Sequence, residues 1–110
     1  MGKFDEKVEF YKKAMDKLGL EYNAKKLVAV TKACGPSIYR SDAETVSSSD
    51  KAELDRVKKN YLMKKLGLTE KRDLDGIIAT AVEQIGKRNR NKYRAIFYYL
   101  CSKEAKKWPK

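Results

Sequence analysis

No histidine occurs anywhere in the 110 residues. Its absence removes the most common general acid–base near neutral pH, and with it the triads and dyads built on an imidazole. Only two cysteines are present, Cys34 and Cys101, in no CxxC or other metal-like spacing. Zinc sites need histidine or more thiolates than these, so no metal is expected. The two cysteines are expected as small buried hydrophobes and not as a disulfide. No stretch approaches the ~20 apolar residues of a membrane span. The opening Met1-Gly2-Lys3-Phe4-Asp5-Glu6 has no apolar signal core. A cytoplasmic location without membrane contact is expected. Phosphate-binding glycine loops of the P-loop and GxGxxG kinds are also missing, so no cofactor is expected. With no visible nucleophile–base pair, the chain reads as a non-enzyme.

Acidic residues are in short supply against basic ones, 15 Asp+Glu to 26 Lys+Arg, which gives a formal net charge of +11. With 42% hydrophobic and 37% charged residues, one domain with a modest core and a heavily charged exterior is expected.

The apolar spacing predicts an all-α fold, a compact bundle of about five helices with one long ordered loop at residues 35–50. Phe4, Val8, Tyr11, Met15 and Leu18 form the stripe of a first helix ended by Gly19. Asn23 can cap a second helix through Leu27, Val28 and Val30, stopped by Gly35-Pro36. Asp50 followed by Glu53 resembles a capping box for a third. Its stripe, Leu54, Val57, Tyr61 and Leu62, is interrupted by Lys58 and Lys65. Asp73 can cap a fourth, with a stripe of Leu74, Ile77, Ile78, Ala81, Val82 and Ile85. The fifth is expected to begin near Asn89 or Asn91 and to be apolar over most of its girth, which makes it the central helix. Domain limits of 1–102 are expected, with a frayed basic tail at 103–110.

The positive charge is unevenly placed. Residues 1–85 hold 17 basic and 14 acidic side chains, and residues 86–110 hold 9 and 1. One cluster is Lys87, Arg88, Arg90, Lys92 and Arg94. The other is Lys103, Lys106, Lys107 and Lys110, beside Trp108. Arg90, Arg94, Tyr98, Ser102 and Lys106 recur at steps of four and would form a ridge on one helix face. The leading expectation is non-enzymatic binding of nucleic acid or another polyanion by the first cluster. A second is self-association or protein interaction through exposed Phe10, Tyr98, Tyr99 or Trp108. A third is a small ligand at the 35–50 loop, where Ser37, Tyr39, Arg40, Asp42 and Glu44 crowd together; cap and turn chemistry accounts for the same residues.

Three blocks carry a likeness. They are Gly35-Pro36-Ser37-Ile38-Tyr39, the run from Val57 to Leu68 (VKKNYLMKKLGL), and the run from Asn89 to Leu100 (NRNKYRAIFYYL). Together with Lys3 to Val8, they resemble a family of short bacterial single-domain proteins of unknown function. The resemblance implies no catalytic residue. It does single out polar groups within the blocks: Ser37, Tyr39, Lys58, Asn60, Lys65, Asn89, Asn91, Lys92 and Arg94. If the loop packs on the start of the fifth helix, these groups form either one polar site or a structural hydrogen-bond network. The basic tail from Lys103 lies outside the blocks.

Overall fold

A computed structural model describes residues 2–40, 43–86, 88–89 and 92–109. Five α-helices follow one another among them: α1 (Lys3–Lys17), α2 (Ala24–Cys34), α3 (Lys51–Arg56), α4 (Leu74–Ile85) and α5 (Arg94–Ala105). No strand is present among the described residues; one isolated antiparallel bridge joins Thr45 to Tyr93. The radius of gyration is 12.8 Å, close to the roughly 13 Å of a single domain of this length. No helix is long and apolar enough to cross a membrane among the described residues.

Local signals place most of these ends. The Asn23 side chain accepts from Lys26 N–H at the start of α2, Asp50 from Ala52 and Glu53, and Asp73 from Gly76. Each cap satisfies donors that the first helical turn leaves open. At the end of α1, Gly19 takes φ +72°, and Leu20 N–H reaches back to the Met15 carbonyl at 3.0 Å. Only glycine enters that conformation without strain. Pro36 opens a 3-10 turn, Gly35–Tyr39, within the long loop.

The third helix explains its own irregular stripe. Beyond Arg56 it continues as a π-helical stretch, Val57–Lys65. The Leu66 amide bonds to the Tyr61 carbonyl, five residues back, at 2.9 Å. This wider turn aligns Val57, Tyr61, Leu62 and Leu66, all buried. Lys64 and Lys65 are exposed, and Lys58 is only partly covered. Lysines that interrupt an α-helical stripe do not interrupt a π-helical one. Met15 to Leu20 (MDKLGL) and Met63 to Leu68 (MKKLGL) are similar in sequence but close differently. After α1 the closing bond spans five residues; after the π stretch Leu68 N–H reaches six back, to Leu62.

Helix α5 lies at the centre and packs chiefly on α4 and α2. Every residue from Ala95 to Ser102 is buried. The six stripe residues of α4 are all buried against it, each a contribution of about 1.5–3 kcal/mol for the large side chains. One expectation is corrected here: α5 begins at Arg94, three to five residues later than the asparagines suggested. Residues 92 and 93 are tied to the loop ahead of the helix: Val46 N–H donates to the Lys92 carbonyl at 2.7 Å, and Arg94 N–H donates to the Glu44 carbonyl. Helix α5 runs to a buried Ala105, and Lys106 adopts a left-handed C-cap with φ 58°. Lys107 N–H then returns to the Ser102 carbonyl at 3.1 Å. The Arg72 guanidinium holds the Ala105 carbonyl at 3.1 Å, and Trp108 packs edge-on to Tyr99.

Buried phenols and thiols give the fold a defined pH sensitivity. Burial pushes the Tyr11 hydroxyl well above its ordinary value, and a hydrogen bond to the Glu44 carboxylate adds to this. Burial raises Tyr61 and Tyr98 as well, against hydrogen bonds from Ser102 and Arg94 that act the other way. It pushes the Cys34 thiol up to about 12 and raises Cys101 too; both thiols are free. In each case the unfolded chain gives up its proton first as pH climbs, so stability is intact below about pH 9 and is lost above it. Thermal melts are expected to shift steeply downward between about pH 9 and 11. A flat midpoint across that range would contradict the burial of these groups.

Candidate functional site

The start of α5 and the long loop do meet, and Arg94 is the hub. Its Nε donates to the Ala43 carbonyl at 2.8 Å, Nη1 to the Tyr98 hydroxyl at 2.9 Å, and Nη2 to Glu53 Oε1 at 2.6 Å. The Tyr98 ring stacks on Tyr61 with centroids 4.0 Å apart, and the Tyr61 hydroxyl pairs with Ser102 Oγ at 2.6 Å. On the other side of the loop, Glu44 accepts from Tyr11 at 2.6 Å and from Lys7 at 2.9 Å. No buried side-chain N or O among the described residues lacks a partner. A network so fully satisfied orders the loop.

The helix ridge expected to face a polyanion therefore faces inward at Arg94, Tyr98 and Ser102. The Arg94 and Glu53 side chains are 15% and 14% exposed. Lys92 is 3% exposed, its ammonium turned onto the Asn89 carbonyl, and burial lowers its proton affinity. Of the first basic cluster only Arg88 is seen exposed; Lys87, Arg90 and Asn91 lie outside the described residues, as does Asp42. Arg88, Asn89 and Lys92 line a cleft of about 440 Å³ with Ser47, Ser48 and Ser49. Asp50 and Glu53 line it too, so it is not a uniformly cationic surface.

The remaining polar candidates are dispersed. Ser37 Oγ donates to the Cys34 carbonyl at 2.8 Å, which is turn chemistry. Tyr39, Arg40 and Asn60 are exposed. Lys58 reaches Asp75 at 3.1 Å and Asp55 at 4.0 Å, and its pKa is raised chiefly by the hydrogen bond to Asp75. Neither Tyr39 nor Arg40 lines the serine cleft. Of the aromatic residues considered for an interaction patch, Tyr98 and Tyr99 are buried and Trp108 is partly covered; Phe10 is exposed.

A different surface collects positive charge. A groove of about 910 Å³ runs between α2, the end of the π stretch and the segment after α5. Lys25 and Lys32 come from α2, Lys64 and Lys65 from the π stretch, and Lys107 from the tail. All five are exposed, and no acidic residue lines the groove. None of the five enters an ion pair among the described residues. Apart from Gly67, the rest of the lining is apolar: Val28, Ala29, Ala33, Leu66, Trp108 and Pro109. Lys26 Nζ stands 4.7 Å from the centre of the Trp108 ring. The sequence hid this groove because its lysines come from three separated segments. The paired lysines 25–26 and 64–65 were the available signal, but each pair alone is ordinary helix surface.

Residues 9–108 match a family described as "Protein of unknown function (DUF2853)". The chain belongs to the DUF2853 family. No curated protein matches the sequence. The DUF2853 match takes in Arg94 and its partners, the serine cleft and all of the groove lining but Pro109. The tail up to Trp108, which falls outside the blocks quoted above, is thus within the DUF2853 span, whereas Lys3 to Val8 precedes it. Membership of DUF2853 assigns no activity.

Proposed function

We propose that this domain is a non-catalytic polyanion-binding module whose binding surface is the groove between α2, the π stretch and the tail. The observation that carries this is five exposed lysines converging on one groove without an acidic neighbour in its lining. Lysine heads act as point charges toward phosphate oxygens, and such convergence raises the local concentration of polyanions. The basic cluster before α5 supports this less well, because Lys92 and Arg94 are engaged inside the fold.

The test uses inorganic polyphosphate and a short oligothymidylate as probes over a salt series from about 50 to 200 mM. With all five lysines on phosphates of a single strand, the log–log salt slope is expected near −3.5, at about −0.7 per contact. Replacing Lys25, Lys32, Lys64 and Lys65 together with alanine is expected to flatten it to about −0.7 and to weaken binding more than roughly tenfold at low salt. Arg88→Ala, at the serine cleft, is expected to leave both unchanged. Absence of binding to either probe at about 50 mM salt, or an unchanged slope in the fourfold variant, would overturn the assignment.

A further inference from the structure

We infer that the groove takes a single-stranded nucleic acid, with its phosphates on the lysines and one base on the Trp108 indole; this rests on the polyanion reading above. Three observations narrow the ligand. The cations come from separate elements, Lys25 and Lys32 from α2, Lys64 and Lys65 from the π stretch. The same groove is lined by apolar side chains and an indole. An unpaired strand alternates charged phosphates with flat apolar bases, and so matches both parts of this lining. A duplex hides its bases and presents only phosphate and groove edges, leaving the apolar lining unused. An acidic peptide would satisfy the lysines but offers no regular supply of flat π surfaces.

Trp108 is held in place for this role. The left-handed turn at Lys106 and the return bond from Lys107 to Ser102 fix the tail. Tyr99 supports the indole by an edge contact, with centroids 5.0 Å apart at 61°. The Lys26 ammonium lies over the same ring, as a cation does over an aromatic face. A base arriving on the indole displaces this ammonium, which is then free to meet an adjacent phosphate. The exchange couples stacking to charge neutralisation, and polyphosphate or polyglutamate, lacking bases, cannot drive it.

Trp108 is the sole tryptophan, so its emission reports directly on the groove. The experiment titrates the full chain with oligothymidylate, the matching duplex, inorganic polyphosphate and polyglutamate, following tryptophan emission and, with labelled probes, anisotropy. Oligothymidylate is expected to bind tightest and to quench the emission. Trp108→Ala is expected to weaken oligothymidylate binding by about five- to a hundredfold, and polyphosphate binding by less than about twofold, since no stacking is lost there. Trp108→Phe, which keeps a ring, is expected to fall between, with ellipticity confirming that both variants fold. If polyphosphate binds as tightly as oligothymidylate and emission does not change, the polyanion reading stands and the single-strand inference fails. Tighter binding of the duplex or of polyglutamate also overturns the inference. If none of the four probes binds, both readings fail.

Discussion

Arg94→Ala is expected to cost about 3 kcal/mol, the lower end of the penalty for removing one partner of an enclosed ion pair, because both side chains are partly exposed and Glu53 keeps Arg56 at 3.3 Å. That is a large share of the stability of an ordinary small domain. The loss has three parts. The Glu53 carboxylate, 14% exposed, keeps its charge and loses the Nη2 donor at 2.6 Å. The Ala43 carbonyl and the Tyr98 hydroxyl each lose a donor as well. Arg94→Lys keeps the charge but cannot reach three acceptors at once, because an ammonium lacks the planar fork; it is expected to recover only part of the loss. Removing both charges, as in Glu53→Gln with Arg94→Met, is expected to cost less than Arg94→Ala, since no carboxylate is left with only the exposed Arg56 as its cation. Urea midpoints of the four proteins check this. A cost below about 1 kcal/mol for Arg94→Ala would be the value of an exposed pair, and would mean that the guanidinium is not enclosed.

Phe97→Ala is expected to be of similar size, about 3–5 kcal/mol, for a different reason. The ring is fully buried on the central helix, which packs chiefly on α4 and α2, so truncation leaves a cavity in the core. The melting midpoint is expected to fall by roughly 12 °C or more, read by ellipticity. Phe10→Ala is the internal control. Phe10 is 43% exposed and meets Tyr93 edge-on with centroids 5.0 Å apart, so its loss is expected to cost about 1 kcal/mol or less. Equal effects at the two positions would remove α5 from the centre of the core.

Much of the fold was readable because the forces that set it are local. The stripes of α1 and α4, the caps at Asn23, Asp50 and Asp73, and the stop at Gly19 each depend on residues a few positions apart. What was not readable depends on distant partners. The start of α5 is set by pairing of Thr45 with Tyr93, which overrides two good capping asparagines at 89 and 91. Arg94 looks like a surface cation until Glu53, 41 positions away, is placed beside it. The π stretch escaped because a wider turn resembles a flawed α-helical stripe when projected at the usual period. The charge excess was correctly traced to the last quarter of the chain, yet part of it is spent inside the fold at Lys92 and Arg94. The exposed positive groove instead draws most of its lysines from the nearly balanced first 85 residues.

The position of the single indole also governs how unfolding of this protein is to be observed. Trp108 stands on the tail, outside the run of fully buried α5 residues, and its neighbours are Tyr99 and Lys26. Its emission therefore follows detachment of the last few residues, whereas ellipticity follows the five helices. Coincidence of two such signals is a test of all-or-none unfolding, and here one of them watches a short peripheral segment. A denaturation curve taken from tryptophan alone measures how firmly the tail is held, and the free energy of the whole domain belongs to the helical signal.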